Sequence, residues 1–173
     1  LPPIGTLGFR VQRYGMLQWG DLFTARQKMT NAYVTQRIAE IPDIRVREVM
    51  ALCYGHVVTR NSSLCVWRYQ PDQEKVESVF SRQALPVVWD FGEAVPISDS
   101  TGSIADSTNG VIRMIEGTTP FGERTGQTAQ ADACESPLPD DCSAVFFTDP
   151  PYYDAIPYSD LSDYFLVWFK RAL

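Results

Sequence analysis

Two adjacent prolines, Pro150-Pro151, place the strongest constraint on how this chain can fold, because they directly follow a short apolar run at residues 144–147 and Thr148-Asp149. Proline fixes φ and has no N–H, and the second ring forces the first residue into an extended conformation. Helix or sheet pairing therefore cannot continue through the pair. The pattern predicts a buried strand at residues 145–148 that ends in a stiff turn.

The residues beside the prolines carry groups suited to holding a planar amine. An ionised Asp149 can accept a hydrogen bond from one amine N–H, and the Pro150 carbonyl can accept from the other. Pro151 helps to aim that carbonyl in advance, and Tyr152 supplies a flat ring on which a base can stack. The tetrad Asp149-Pro150-Pro151-Tyr152 is thus predicted to serve an amino-group methyltransferase.

A simpler interpretation of the same tetrad stays open. Asp-Pro pairs often initiate turns, and Pro-Pro-Tyr can be a ligand for small recognition domains. In that case the chain is a non-catalytic module that binds nucleic acid or protein.

Charge is divided unevenly along the chain, whose net charge is -6. Residues 1–90 carry an excess of three positive charges, and residues 91–173 an excess of nine negative ones. The N-terminal part is therefore the better surface for phosphates, although an excess of this size is also ordinary for a solvated helical face.

The four cysteines are widely spaced and include no Cys-x-x-Cys pair, so no metal site is predicted within this chain. The single histidine, His56, is assigned a structural or surface role. With no signal peptide and no apolar run near 18 residues, a cytoplasmic location without membrane contact is expected. The ends of the chain suggest a fragment of a longer protein.

Residues 1–96 are predicted to be mostly helical after an irregular, aromatic-rich lead-in. A helix over residues 22–41 has Thr24 as a possible cap and ends at Pro42-Asp43. A second helix runs to about Thr59, and residues 74–80 suggest a third, short one. Residues 97–110 are rich in Ser, Thr, Asp and Gly, which predicts a flexible loop and a boundary.

The remaining residues, 111–173, have the rhythm of an α/β domain. Strands are expected at 125–131 and 145–148, with helical spacing at 111–116 and again from Leu161 through Phe169. This order suits part of a Rossmann-like, doubly wound sheet, in which ligands bind at the carboxyl ends of strands. Asp132 and Asp149 both fall at such ends.

Much of the chain resembles the zinc-ribbon-containing adenine-specific DNA methylases. The resemblance rests on four segments: YGMLQWGDLFTARQ at 14–27, NSSLCVW at 61–67, FSRQALPVVWDFGE at 80–93, and PLPDDCSAVFFTDPPYYDAIPYSDLSDYFLVWFKR at 137–171. It implies a Rossmann-like enzyme that transfers a methyl group from S-adenosylmethionine to adenine N6 in DNA. The alternative substrates on the same chemistry are cytosine N4 and an RNA amine.

The resemblance also implies roles for single residues. The tetrad corresponds to the family's fourth motif, in which Asp149 and the Pro150 carbonyl hold the amine and Tyr152 stacks on a flipped base. Asp132 looks like the acidic residue of the third motif, which meets the adenine amine of the cofactor. Tyr153 and Asp154 extend the fourth motif and shape its pocket.

One element of the family's pattern is missing from this chain. Such enzymes hold the methionine part of the cofactor with a Gly-rich turn, like Phe-x-Gly-x-Gly, and no such turn occurs here. In the family, that turn and the zinc ribbon lie upstream. The isolated segment is therefore expected to bind the cofactor weakly and to be inactive.

Overall fold

The described part of the chain is built mainly from helices. The computed structural model describes residues 1–71, 73–118, 126–153 and 155–173, and the backbone alone for Gln73. The α-helices of this part are α1 (Ala25–Ala39), α2 (Ile44–Val58), α3 (Ile104–Thr118) and α4 (Tyr158–Ala172). Short 3₁₀ helices span Val11–Tyr14 and Trp19–Leu22, and strands β1 (Trp67–Gln70) and β2 (Gln73–Val76) form an antiparallel hairpin.

Local sequence signals account for the start of α1. The Thr24 hydroxyl accepts from the Gln27 N–H at 3.2 Å, and the Gln27 side chain accepts from the Thr24 N–H at 2.9 Å. This reciprocal capping box satisfies two N–H groups that the first turn of a helix leaves without partners. The predicted cap at Thr24 is confirmed.

The break between α1 and α2 also follows the sequence prediction. Pro42 has no N–H with which to continue α1, and the Asp43 carboxylate caps α2 by accepting from the Arg45 N–H at 2.9 Å. The second helix ends at Val58, with Thr59 as its C-cap. The prediction of a helix reaching about Thr59 is therefore confirmed.

The short helix predicted over residues 74–80 is wrong. Residues Gln73–Val76 instead form β2, which pairs with β1 in a register that places Val76 opposite Trp67. Val76, at the end of β2, is buried, whereas Glu74 is exposed.

The flexible loop predicted over residues 97–110 is shorter than expected, because α3 begins at Ile104. Asp106 N–H donates to the Ser103 hydroxyl at 3.1 Å, and the Asp106 carboxylate accepts from the Gly102 N–H at 2.8 Å. Ser103 and Asp106 thus stabilise the first turn of α3 in the manner of a capping box. The composition of this stretch is typical of a loop, although its residues form the start of a helix.

The described part of residues 111–173 does not form the expected Rossmann-like sheet. Over the described residues 126–131 and 145–148 the backbone forms no strand, and the only sheet of the described part is the β1–β2 hairpin. A parallel strand is stable only with neighbouring strands and with helices covering both faces. Within the described part of the chain, neither run finds such partners.

Helix α4 belongs to the same core as the N-terminal helices rather than to a separate C-terminal layer. It packs against α1 and α2, while α3 packs against α2. The buried Tyr164 stands at the centre of the contact, surrounded by aromatic rings of Trp19, Phe23, Phe80 and Phe165. The N-terminal part of the chain, up to and including β2, therefore shares one hydrophobic core with α4.

Candidate functional site

The predicted tetrad lies on the segment that connects α3 to α4. Asp149, Pro150, Pro151 and Tyr152 form no helix or strand, and all four are exposed. Helix α4 begins six residues after Tyr152, at Tyr158. The tetrad is thus presented on an open segment just before a helix that is fixed in the core.

The apolar run before the tetrad does not form the buried strand that the sequence predicts. Val145, Phe146 and Phe147 are all exposed, and Phe147 reaches 91% of its full accessibility. Apolar side chains favour a strand only where another layer covers them. In the described part of the chain nothing covers this run, so the expected burial is wrong.

The exposure of the tetrad leaves its chemical groups accessible. No hydrogen bond or ion pair to another described residue occupies the Asp149 carboxylate, and Pro150 and Pro151 offer only carbonyl acceptors. The Tyr152 ring is 72% exposed. Together these groups can accept two hydrogen bonds from an amine and present a flat face to a ring beside it.

Asp132, predicted to contact the cofactor, has a local role in the structure. Its carboxylate accepts from the Cys134 N–H at 2.8 Å, and its carbonyl accepts from the Glu135 N–H at 3.0 Å. This is an aspartate turn of the ordinary kind.

The structure does not bring Asp132 to the tetrad by any hydrogen bond among the described residues. Asp132 is exposed. Tyr153 is exposed beside the tetrad, and Asp154 lies outside the described residues.

Tyr164 holds α4, the helix that follows the tetrad, in the core. Its hydroxyl donates to the carbonyl of Val58, at the end of α2, at 2.9 Å. Burial raises the pKa of this phenol well above its ordinary value, so the hydroxyl stays protonated and keeps donating. The bond connects the end of α2 to the middle of α4.

A buried polar cluster between α1 and α2 was not foreseen from the sequence. The Asn31 side-chain oxygen accepts from the Tyr54 hydroxyl at 2.8 Å and from the Asn61 amide at 2.6 Å. Burial raises the pKa of Tyr54, which therefore remains a donor. Only the helix packing brings these side chains together, since they are 23 and 30 residues apart.

His56 faces α3 beside a groove of about 660 Å³ between α2 and α3. Its Nδ1 lies 2.9 Å from the Ser107 hydroxyl, and its Nε2 contacts the Arg60 guanidinium. Because a guanidinium can only donate, Nε2 must be the acceptor and Nδ1 carries the proton toward Ser107. His56 is then a donor to Ser107 and cannot act as its base, so the pair is structural.

Acidification is expected to destabilise the protein through His56. Burial, and after it the charge of Arg60, lowers the pKa of His56 against the weaker opposite effect of Asp106. The unfolded chain therefore takes up a proton first as the pH falls below about 6.5, and the free energy of unfolding decreases until the folded imidazole also titrates.

Urea denaturation at pH 7.5 and pH 5.5 measures this effect. The His56→Gln variant is the control, because it keeps hydrogen-bonding groups but cannot titrate. The natural chain should lose more stability between the two pH values than the variant does. Equal losses would show that His56 makes no contribution.

Two further properties bear on the function of the site. Among the described residues, no three His, Cys, Asp or Glu side chains group closely enough to hold a metal ion. None of the helices in the described ranges has both the length and the apolar character needed to cross a bilayer.

Comparison with protein-family models, with curated proteins and with solved structures finds no match.

Proposed function

We propose that this chain carries the base-holding part of a DNA methyltransferase that acts on the N6 amine of adenine. The observation that supports the proposal is the tetrad, in which an exposed carboxylate, a proline carbonyl and an exposed tyrosine ring follow one another on an accessible segment. These three groups match the three requirements of an amine on a flat aromatic ring.

Asp149 and Pro150 would prepare the amine for reaction. The lone pair of an exocyclic amine is delocalised into the base, which makes the nitrogen a poor nucleophile. Two acceptors lying out of the ring plane, the Asp149 carboxylate and the Pro150 carbonyl, favour a pyramidal nitrogen whose lone pair is available. No strong base is required, because the nitrogen becomes acidic only once it is methylated.

Tyr152 would hold the base itself. A base must leave the duplex stack before its amine can be reached, and flipping it out costs a few kcal/mol. Stacking on an aromatic ring returns about 1–3 kcal/mol per base. The exposed Tyr152 ring is available for such stacking without a rearrangement of the core.

The methyl donor in this proposal is S-adenosylmethionine, whose sulfonium supplies an electrophilic methyl group. In this proposal Asp149, Pro150 and Tyr152 hold the acceptor amine and its base, and Asp132 would contact the adenine amine of the donor, as the resemblance implies. A cytoplasmic location belongs to the same proposal.

Identification of the methylated product tests the proposal. The protein translated from the complete reading frame is incubated with unmodified DNA, with RNA and with methyl-labelled S-adenosylmethionine, and the digested nucleosides are identified by mass spectrometry. Labelled N6-methyladenine from DNA is the expected result.

Other products would change the conclusion in defined ways. Labelled N4-methylcytosine, or label found only in RNA, would reassign the substrate while keeping the amine chemistry of Asp149. Salt-dependent DNA binding without any methylated nucleoside would show that the chain is a non-catalytic binding module and not part of an enzyme.

A further inference from the structure

The start of α4 forms one wall of an open cleft of about 460 Å³. Tyr158, Leu161 and Ser162 line the cleft from α4. Arg60, which follows the end of α2, and Phe80, which follows β2, line it from the other side. The volume falls within the range of about 300–1,000 Å³ that small-molecule sites have.

Arg60 brings a positive charge into this cleft, and none of the described residues that line it is acidic. Four other cavities formed by described residues each include a carboxylate, from Asp106, Glu93, Asp43 or Glu74. Glu77, the neighbour of the lining residue Ser78, already pairs with Arg68 at 2.7 Å. The cleft therefore favours a ligand that carries a negative charge.

The Arg60 side chain is held in position before any ligand arrives. Its guanidinium donates to Nε2 of His56, which uses only one of its N–H groups. Its stem passes directly over Gly102, where a Cβ would collide with the Arg60 Cδ. A guanidinium fixed in this way loses little freedom when it binds a phosphate or a carboxylate.

An apolar wall lies in the same cleft as Arg60. Phe80 and Phe165 both line the cleft, and their rings stack with centroids 5.4 Å apart and an interplanar angle of 27°. Both side chains are half-buried, and the buried Leu161 lies beside them in the lining. A wall of this kind packs well against a flat ring.

The tetrad lies within reach of the cleft. Tyr158, which lines it, is six residues after Tyr152, and six residues of chain span at most about 20 Å. Ile156 lies between them and packs against the hydrophobic core. The tetrad is therefore tethered close to the cleft by a short piece of chain.

We propose that this cleft receives the nucleotide whose base the tetrad holds. The phosphate accepts hydrogen bonds from Arg60, and the base lies between the wall of Phe80 and Phe165 and the ring of Tyr152. An anion joined to a flat ring matches a cleft that has a guanidinium and an apolar wall. The choice of a nucleotide as the ligand rests on the proposed function.

Titration of the 173-residue chain without a methyl donor tests this assignment. The probes are deoxyadenosine 5′-monophosphate, deoxyadenosine and inorganic phosphate, and NMR spectroscopy follows their binding. The nucleotide should bind at least about ten-fold more tightly than the nucleoside, because a charge-assisted hydrogen bond to Arg60 is added. Inorganic phosphate should bind more weakly than the nucleotide, since it makes no contact with the apolar wall.

Arg60→Gln should remove the difference in affinity between the nucleotide and the nucleoside. Arg113→Gln is the matched control, because Arg113 is an exposed arginine that lines the groove between α2 and α3. Circular dichroism checks that each variant keeps its helices.

A second pair of variants blocks the cleft without removing a charge. Ser162→Trp adds a bulky ring at an exposed position in the lining and should weaken binding of both the nucleotide and the nucleoside by about ten-fold or more. Ser159→Trp adds the same ring at an exposed position of α4 outside the lining, and it should leave both affinities unchanged.

Three results would overturn the proposal. The first is equal affinity of the chain for the nucleotide and the nucleoside, including no binding of either. The second is an effect of Arg60→Gln no larger than that of Arg113→Gln, or of Ser162→Trp no larger than that of Ser159→Trp. The third is inorganic phosphate binding as tightly as the nucleotide, which would show a site for a small anion only.

Failure of this proposal and failure of the proposed function are distinguishable. Nucleotide binding that depends on Arg60, together with no methylated nucleoside from the complete protein, would leave the cleft as a nucleotide site and remove the enzyme. Methylated DNA without nucleotide binding in the cleft would keep the chemistry of the tetrad and place the base elsewhere.

Discussion

Replacing Asp149 with alanine is expected to lower methyl transfer to DNA by about a hundred-fold to a thousand-fold, the usual effect of removing one preorganised polar group at a reacting centre. The carboxylate is free of described partners and exposed, so its loss should not disturb the fold. Incorporation of labelled methyl groups by the protein from the complete reading frame measures the effect. Binding of S-adenosylmethionine should be retained.

Two further variants make this result specific. Asp163→Ala removes an exposed carboxylate from α4 and should leave the transfer rate unchanged. Asp149→Asn keeps one oxygen acceptor but removes the charge, so it should retain part of the activity. A rate for Asp149→Ala equal to that for Asp163→Ala would exclude Asp149 from the reaction.

Replacing Tyr164 with alanine should have the largest effect on stability, with a loss of about 3–5 kcal/mol in the free energy of unfolding. The side chain is fully buried, and its ring lies 5.1 Å from that of Phe80 and 5.6 Å from that of Phe23, centroid to centroid. Alanine would leave a cavity between α1, α2 and α4. Urea denaturation followed by circular dichroism measures the loss.

Tyr164→Phe separates the hydroxyl from the ring. It removes only the hydrogen bond to the Val58 carbonyl, which still accepts from the Asn61 N–H at 3.1 Å, so the loss should be about 0.5–1.5 kcal/mol. Tyr158→Ala is the matched control at the exposed start of α4. If Tyr164→Ala were no more destabilising than Tyr158→Ala, α4 would not be anchored in the core as described.

The helices that the sequence predicted well are those whose ends carry their own signals. Thr24 and Gln27 cap α1 through contacts three residues apart, and Pro42 with Asp43 separates α1 from α2. Such contacts depend only on the local backbone and need no distant partner. Helix α3 has a similar local signal at Ser103 and Asp106, but its Ser-rich and Gly-rich surroundings favoured a loop.

The strands were predicted poorly because the backbone hydrogen bonds of a strand go to a neighbouring strand and not to residues of the same segment. Residues 145–148 have the apolar composition of a buried strand, yet they are exposed and unpaired in the described structure. Residues 73–76 have a mixed composition, yet they pair with β1. Whether a segment becomes a strand is decided by what lies beside it in the folded chain.

The sequence by itself determined the chemical groups of the candidate site: a carboxylate, two residues without N–H groups and an aromatic ring in consecutive positions. Those properties are covalent and survive any fold. Only the tertiary structure decided that these groups lie on an open segment held by α4, that Asp132 serves a turn, and that Tyr14 meets Trp89 from 75 residues away. Burial and long-range contact arise from packing, which depends on the whole chain at once.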